Sequence, residues 1–331
     1  MAKKQKRFPV RKFLYWLRYR IGEYCLRGFV AILPWIPQRV ILLFTSVAAR
    51  LTFALLWKYR KRMEENVSLA MGDEYFTQEE KRAIAWKAWR NFAQGVYETT
   101  CTLYDSKERI CSAVAMEGEE HLRRALERGK GVIALSAHLG NFTMIGARLA
   151  AGGYPFGAVV KQPKDQRFGR LIDDYRLMVG VKTISAKPRR EAARQILKAL
   201  RRNEVILLIA DEFKSGGVEV EFLGRTATAP RGPVTLALRT GAAVLPTFVT
   251  RDHEDHLILH IGAEIDLIKT GDLQQDVAAN ASLFTGHLES MVRRYPDQWN
   301  WLGFHRNGRR PRSEMVKSKT ADGDQQSPVS S

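Results

Sequence analysis

From Glu117 to Tyr295 the chain alternates short apolar runs with longer stretches of helical spacing, and few folds accommodate that rhythm. The clearest run is Gly131-Val-Ile-Ala-Leu-Ser-Ala137, which carries no charge and follows a helical stretch at 118–129. A run of this kind reads as a strand buried on both faces. The pattern predicts further strands at 156–160, 181–184, 205–210, 218–223, 243–250 and 256–265. Helices are expected at about 141–151, 167–179, 188–202 and 231–240, with a last one at 273–295. Strand and helix in turn give an α/β fold, a mostly parallel central sheet flanked by helices. The late strand 256–265 is expected at a sheet edge. No internal repeat is visible.

Upstream of this body the chain is different. Glu64 to Tyr104 reads as helices, and Thr77-Gln-Glu-Glu80 is a capping box before Ala83, Ile84, Trp86, Ala88 and Trp89. Residues 1–62 hold 15 Lys and Arg against the single acid Glu23, a net of +14 out of +18 for the whole chain. They are also apolar, with Phe13, Leu14, Trp16, Leu17 and Tyr19 set among Arg11, Lys12, Arg18 and Arg20. A local basic excess calls for a local partner. The apolar run Phe29 to Trp57 is broken by Pro34, Pro37, Gln38, Arg39 and Arg50. Its longest piece free of these breaks, Val40 to Ala49, is 10 residues, whereas a bilayer-spanning helix needs about 20. Arg50 would cost roughly 2.5–3.5 kcal/mol at the bilayer centre. Amphipathic helices lying in the interface, their basic groups on anionic lipid, are therefore preferred. One span across 40–57, with Arg50 facing protein, is the other reading. A cleaved signal peptide fits poorly, because the apolar part starts late and no small-residue site follows it. If this segment anchors the chain, Lys58, Arg60, Lys61, Arg62 and the N-terminal charges predict a catalytic body on the cytoplasmic side. The expected organisation is an anchoring helical segment at 1–62, a catalytic domain at 63–308 and a disordered polar tail at 309–331.

Several classes fall away on composition. At 45% hydrophobic residues the chain can bury a core. Cys25, Cys101 and Cys111 are too scattered for a disulfide framework, and without a CxxC no zinc site is expected. The basic residues are mixed with long aliphatics and Trp, and no nucleic-acid-reading motif is visible, so no nucleic-acid partner is expected. His256 and His260 would share one face of a strand, but exposed histidines account for them more simply than a metal does. Ser136 lies in no GxSxG elbow, so a hydrolase nucleophile is unsupported.

One constellation carries chemistry: Ser136-Ala-His138-Leu-Gly140-Asn141-Phe142-Thr143. It falls where a buried strand ends and a helix begins, the place where open α/β sheets bind ligands. The helix start would offer free N–H groups to an oxyanion. Gly140 would let backbone approach a ligand, and His138 would serve as general base. A histidine that merely bonds a carbonyl at a strand end is the structural alternative.

With these residues in view, the chain resembles the lysophospholipid acyltransferase superfamily, and within it the bacterial lipid A biosynthesis (lauroyl/myristoyl) acyltransferases. The landmarks are Arg62-Met-Glu-Glu-Asn66, His138-Leu-Gly-Asn-Phe142, Arg176 with Gly180, and Asp211. They continue with Val220-Glu-Phe-Leu-Gly224, Gly232 to Ala242, Val244-Leu-Pro246 and Pro296-Asp-Gln-Trp-Asn-Trp301. The resemblance implies transfer of a fatty acyl chain from acyl carrier protein or acyl-CoA to a lipid hydroxyl, such as one on a lipid A precursor. It implies work at the cytoplasmic face of the inner membrane, with no metal or other cofactor. The family's signature is H-x4-D/E, where the acid orients a histidine that deprotonates the acceptor. Arg176 would hold a phosphate or the thioester oxygen. Asn141, Glu212 and Arg231 are carried as substrate-binding positions.

At the acid position this chain has Thr143. A threonine accepts a hydrogen bond but supplies no charge to an imidazolium. Three readings stand: Asp211 reaches His138 instead, the enzyme runs with a neutral orienter, or the protein is catalytically silent and binds lipid or acyl carrier protein. A carboxylate within reach of His138 separates the first from the last.

Overall fold

The computed structural model describes residues 8–72, 76–213 and 217–304, so the tail expected at 309–331 lies outside the described residues. Four long helices come first: α1 Phe8–Ile32, α2 Gln38–Leu55, α3 Trp57–Met71 and α4 Gln78–Cys101. A 3-10 turn at Leu33–Trp35 and then Pro37 separate α1 from α2, because proline donates no hydrogen bond and crowds the preceding turn. α4 opens at the expected capping box. The Thr77 hydroxyl accepts from the Glu80 N–H at 3.3 Å, and the Glu80 carboxylate accepts from the Thr77 N–H at 2.7 Å. α2 and α3 both pack on α4, and α3 passes through residues 62 and 63 as one helix.

The body follows as α5 Lys107–Ala113, β1 Val114–Glu117, α6 Glu119–Glu127, β2 Val132–Ser136, α7 Met144–Ala151 and β3 Phe156–Val160. Next are α8 Gln166–Met178, β4 Val181–Ser185, α9 Arg189–Arg201, β5 Val205–Ile209, β6 Val218–Phe222 and β7 Arg225–Ala229. It closes with α10 Arg231–Thr240, β8 Ala243–Arg251, β9 Leu257–Ile261 and α11 Leu273–Arg294. Seven strands form one sheet in the order β1-β9-β8-β2-β5-β3-β4. Every neighbouring pair is parallel except β8 with β9. The mostly parallel, helix-flanked sheet is thus as expected.

Two expectations change. The strand at 218–223 does not join the central sheet, because β6 pairs antiparallel with β7 in a separate ribbon. The strand at 256–265 is not an edge: β9 lies between β8 and β1. β1 escaped notice because it is four residues long with only Val114 buried, yet it covers the outer side of β9.

Alternation along β2 divides the core in two. Ile133, Leu135 and Ala137 face the side covered by α3, α4, α9, α10 and α11. Val132 and Ala134 face the side covered by α5, α6 and α7. α1 docks on this body through ion pairs. Glu23 is fully buried and accepts from Arg27 Nε at 3.1 Å and from Arg167 Nε of α8 at 2.8 Å. Arg20 pairs with Glu23 and with Asp165, the residue that caps α8. Burial pushes the Glu23 carboxyl up, but the guanidiniums of Arg27, Arg167 and Arg20 outweigh it and hold it below its ordinary value.

Candidate active site

β2 and β5 run side by side with Ser136 opposite Ile209. Continued two residues past that pair, the same register sets His138 beside Asp211. Asp211 Oδ1 lies 2.7 Å from His138 Nδ1. Its Oδ2 accepts from the His138 backbone N–H at 2.8 Å and from the Trp299 indole N–H at 2.9 Å. The carboxylate side chain is 3% exposed and the imidazole 29%. Burial raises the Asp211 pKa, but the bonds from His138 and Trp299 and the charge of the imidazole outweigh it, holding the carboxyl below its ordinary range. An ionised carboxylate only accepts, so Nδ1 carries a proton; in the neutral ring Nε2 then holds the lone pair that a general base needs.

The C-terminal landmark completes the seat. Gly140 donates its N–H to the Gln298 carbonyl at 2.8 Å, and Asn300 donates to the His138 carbonyl at 3.0 Å. Residues 298–300 therefore lie along 138–140 like an added strand. The Gln298 amide bonds both the N–H and the C=O of Arg251 at the end of β8, at 2.8 and 2.6 Å. Asn66, from the Arg62–Asn66 landmark, donates to the Trp301 carbonyl at 2.5 Å. The β6–β7 ribbon backs this wall through Phe222, whose ring is 5.7 Å from that of Trp299.

Two local expectations are corrected. Gly140 has φ +55°, and a Cβ there would lie 2.0 Å from the Val249 carbonyl oxygen. The close approach it permits is that of β8, not of a ligand. The helix begins at Met144 rather than Asn141, and the N–H groups of Met144 and Ile145 are bonded to the carbonyls of Asn141 and Phe142. A hydrogen-bonded turn thus stands where a bare helix start was expected. Ser136 is fully buried in β2.

Thr143 turns toward α4. Its hydroxyl donates to Asn141 Oδ1 at 2.6 Å and pairs with the Thr99 hydroxyl at 2.5 Å. The buried Asn141 amide donates to Glu98 at 3.0 Å, and Arg251 Nη2 donates to the same carboxylate at 2.9 Å. The fifth position after His138 is thus tied to α4, while the carboxylate on the imidazole comes from the segment that follows β5. Arg176, in the last turn of α8, pairs with Asp173 at 3.0 Å, and burial draws its pKa down against the pull of that carboxylate. Glu212 follows Asp211 directly and is exposed; Arg231 is exposed at the first position of α10. The histidines at 253 and 256 are exposed, but His260 is not as expected: it is held by Glu117 at 2.9 Å and Thr250 at 2.8 Å.

An apolar cavity of about 260 Å³ lies against this site, between the sheet and α1, α4, α7 and α8. Phe142, Ala147, Phe156, Leu207, Ile172 and Val30 are among its walls, and Thr143 and Arg176 add polar groups. Neither Glu212 nor Arg231 lines it. Phe142 meets the His138 ring edge-on, with centroids 5.1 Å apart. The cavity and the imidazole therefore share a wall.

The family described as bacterial lipid A biosynthesis acyltransferase matches residues 8–307, nearly the whole chain. The chain belongs to that family. Among similar proteins of this acyltransferase type are phosphatidylinositol mannoside acyltransferases of two organisms. That of Mycolicibacterium smegmatis is 29% identical over 185 residues, 55% of this chain and 59% of the relative. That of Mycobacterium tuberculosis is 34% identical over 132 residues, 39% of this chain and 42% of the relative. The chain thus spans about half the length of these relatives. Within the acyltransferase match lie several residues that sequence reasoning gave no role: Trp299 and Gln298, inside a quoted landmark, and Glu98, Thr99 and Arg251, which carried no local signal.

Proposed function

We propose that this protein transfers a fatty acyl chain from a thioester donor, acyl carrier protein or acyl-CoA, to a sugar hydroxyl of a glycolipid. The observation that carries the reading is the His138–Asp211 pair at the wall of an apolar cavity. His138 Nε2 takes the proton of the acceptor hydroxyl as its oxygen attacks the thioester carbonyl. The tetrahedral intermediate expels the thiolate, which recovers that proton from the imidazolium. Asp211 holds the ring in register and offsets its transient charge, the base-and-orienter logic of a triad with the nucleophile supplied by substrate. Arg176, which lines the cavity, is assigned to a donor phosphate or the thioester oxygen, and Asn141 and Thr143 brace the loop. Glu212 and Arg231 are assigned to substrate entering from outside the cavity.

The names of the relatives favour a mannosylated phosphatidylinositol as acceptor; the family description favours a lipid A precursor. Both present a sugar hydroxyl on a membrane lipid. Membrane contact is assigned to the basic, apolar segment at 1–62, on anionic lipid at the cytoplasmic face of the inner membrane. α2 is long and apolar enough, by length and composition, to cross a bilayer, although its 18 residues stand at the short end of what a span needs. With Arg39 and Arg50 inside it, a helix lying in the interface fits better.

The test is acyl transfer by the full chain in detergent, with labelled acyl carrier protein and acyl-CoA thioesters and both acceptors. Turnover that vanishes in His138→Ala is expected. Turnover absent from the wild type but present in Thr143→Glu would show a silent lipid-binding relative instead.

A further inference from the structure

Three arginines of the N-terminal helices converge on one hollow. Arg50 of α2, Arg60 of α3 and Arg82 of α4 line an open pocket of about 480 Å³ with Phe53, Trp86 and Glu79. The pocket lies away from the acyl cavity: along α4, Arg82 is about 25 Å from Thr99, which lines that cavity, at about 1.5 Å per residue. Glu79 is the lining carboxylate, and Arg60 also has Glu64 at 3.7 Å and stacks over Phe53 at 5.7 Å. Arg50 and Arg82 are exposed. Three guanidiniums against the carboxylates of Glu79 and Glu64 leave the hollow net positive, and their planar forks match phosphate oxygens in pairs.

The surroundings say which anion. Val40, Leu43, Phe44, Val47, Leu51 and Leu55 recur at helical spacing along α2 and are 39–75% exposed. They form one apolar stripe that no part of the described protein covers, and only 17% of α2 is buried. At 100° per residue, Arg50 and Ala54 fall on one border of that stripe, so the hollow opens beside it. Trp57 and Tyr59, both about half-exposed, begin α3 at the same end, and such rings settle at headgroup level. A phosphate next to a strip of hydrocarbon is the layout of a phospholipid.

We propose that the Arg50–Arg60–Arg82 hollow binds the phosphate of an anionic phospholipid headgroup, whose acyl chains lie along the exposed stripe of α2. The site is separate from the acyl-transfer centre, and its lipid is bound rather than consumed. The inference rests on the membrane contact proposed above and fixes one point of it.

Flotation of the full chain with vesicles tests this. One set is phosphatidylcholine alone, the other phosphatidylcholine mixed with phosphatidylglycerol. The double variant R50Q/R82Q is compared with R124Q/R190Q, which removes the same charge from exposed positions on α6 and α9. R50Q/R82Q is expected to lower partitioning onto the mixed vesicles by about tenfold or more, and the control pair by about twofold at most. Thermal melts of both doubles check that each is folded. Acyl transfer from detergent-dispersed substrates is expected to persist in R50Q/R82Q, which separates this site from the catalytic one. Undiminished vesicle binding by R50Q/R82Q would overturn the proposal. Equal loss in both doubles would do the same, by showing diffuse charge attraction. Displacement from vesicles by dissolved glycerol 3-phosphate as effectively as by mixed vesicles would show a free-anion site instead. The vesicle result is read without reference to turnover, so it stands or falls apart from the acyltransferase reading.

Discussion

Asp211 reaches His138 from another strand, and so the chain keeps a carboxylate on its imidazole although Thr143 occupies the position five residues on. A carboxamide in place of that carboxylate would keep the shape and remove the charge. Asp211→Asn is expected to lower kcat by about 10⁴-fold, the loss seen when a serine-protease triad loses its orienting acid, measured as steady-state transfer. Thr143→Val, which breaks the bonds to Asn141 and Thr99 but leaves Asp211 in place, is expected to cost far less. A drop as deep as that of Asp211→Asn would mean that Thr143 takes part in the chemistry. The depressed Asp211 pKa also sets a pH dependence. Its stabilising contribution is complete above the unfolded value of about 3.9 and is lost as pH falls through the lower folded value. The stability gap between wild type and Asp211→Asn should be full at neutral pH and close in strongly acid solution, followed by denaturant melts. A gap unchanged at low pH would contradict this.

Elements meet at the site through backbone rather than through long side chains. The β2–β5 register brings the dyad together, and segment 298–300 clamps its far side by bonds to His138 and Gly140. Gly140 stands in the left-handed region with a carbonyl of β8 where its Cβ would be. Gly140→Ala is expected to destabilise by about 2–4 kcal/mol through strain and displacement of β8, read by chemical denaturation, with activity falling in parallel. α1 is held to α8 by Glu23 with Arg20, Arg27 and Arg167. Glu23→Gln is expected to lower the melting temperature and to speed proteolytic cleavage within α1, because three guanidiniums lose their shared anion. α1 also lines the cavity through Leu26 and Val30, so this N-terminal helix is part of the cavity's wall.

The molecule as a whole joins an α/β body to four N-terminal helices, of which α3 and α4 pack on one sheet face while α1 docks on α8. The polar chain Thr143–Asn141–Glu98–Arg251 crosses from the loop after β2 to α4 and on to β8, which locks the helical part and the sheet into one framework. Between them lies the apolar cavity, sized by α1, α4, α7 and α8 together. Ala147→Phe puts a ring into that space. Its expected effect is to lower kcat/KM for long-chain thioesters more than for short ones, seen by competing donors of different length. Equal loss for all lengths would place the acyl chain elsewhere.

Periodicity and turn chemistry made much of this visible in the chain alone. The run at 131–137, the capping box at Thr77 and the alternation to Tyr295 specified most elements within a few residues, since burial on one helix face or two strand faces leaves a local trace. His138 was also legible, because it ends such a run beside a glycine. Other features depend on partners distant in sequence. β1 is too short to show a pattern, and β9 becomes internal only because β1 pairs with it. Asp211 could be suspected, but its choice over Thr143 follows from strand register, which no single segment encodes. Glu98 and Arg251 lie 153 residues apart, and Trp299 lies 88 from Asp211. Helix and strand preferences are local free energies carried by neighbouring residues. The pairing of charges and carbonyls across the sheet is settled when the whole chain packs, because only burial makes an unpaired group costly enough to select its partner.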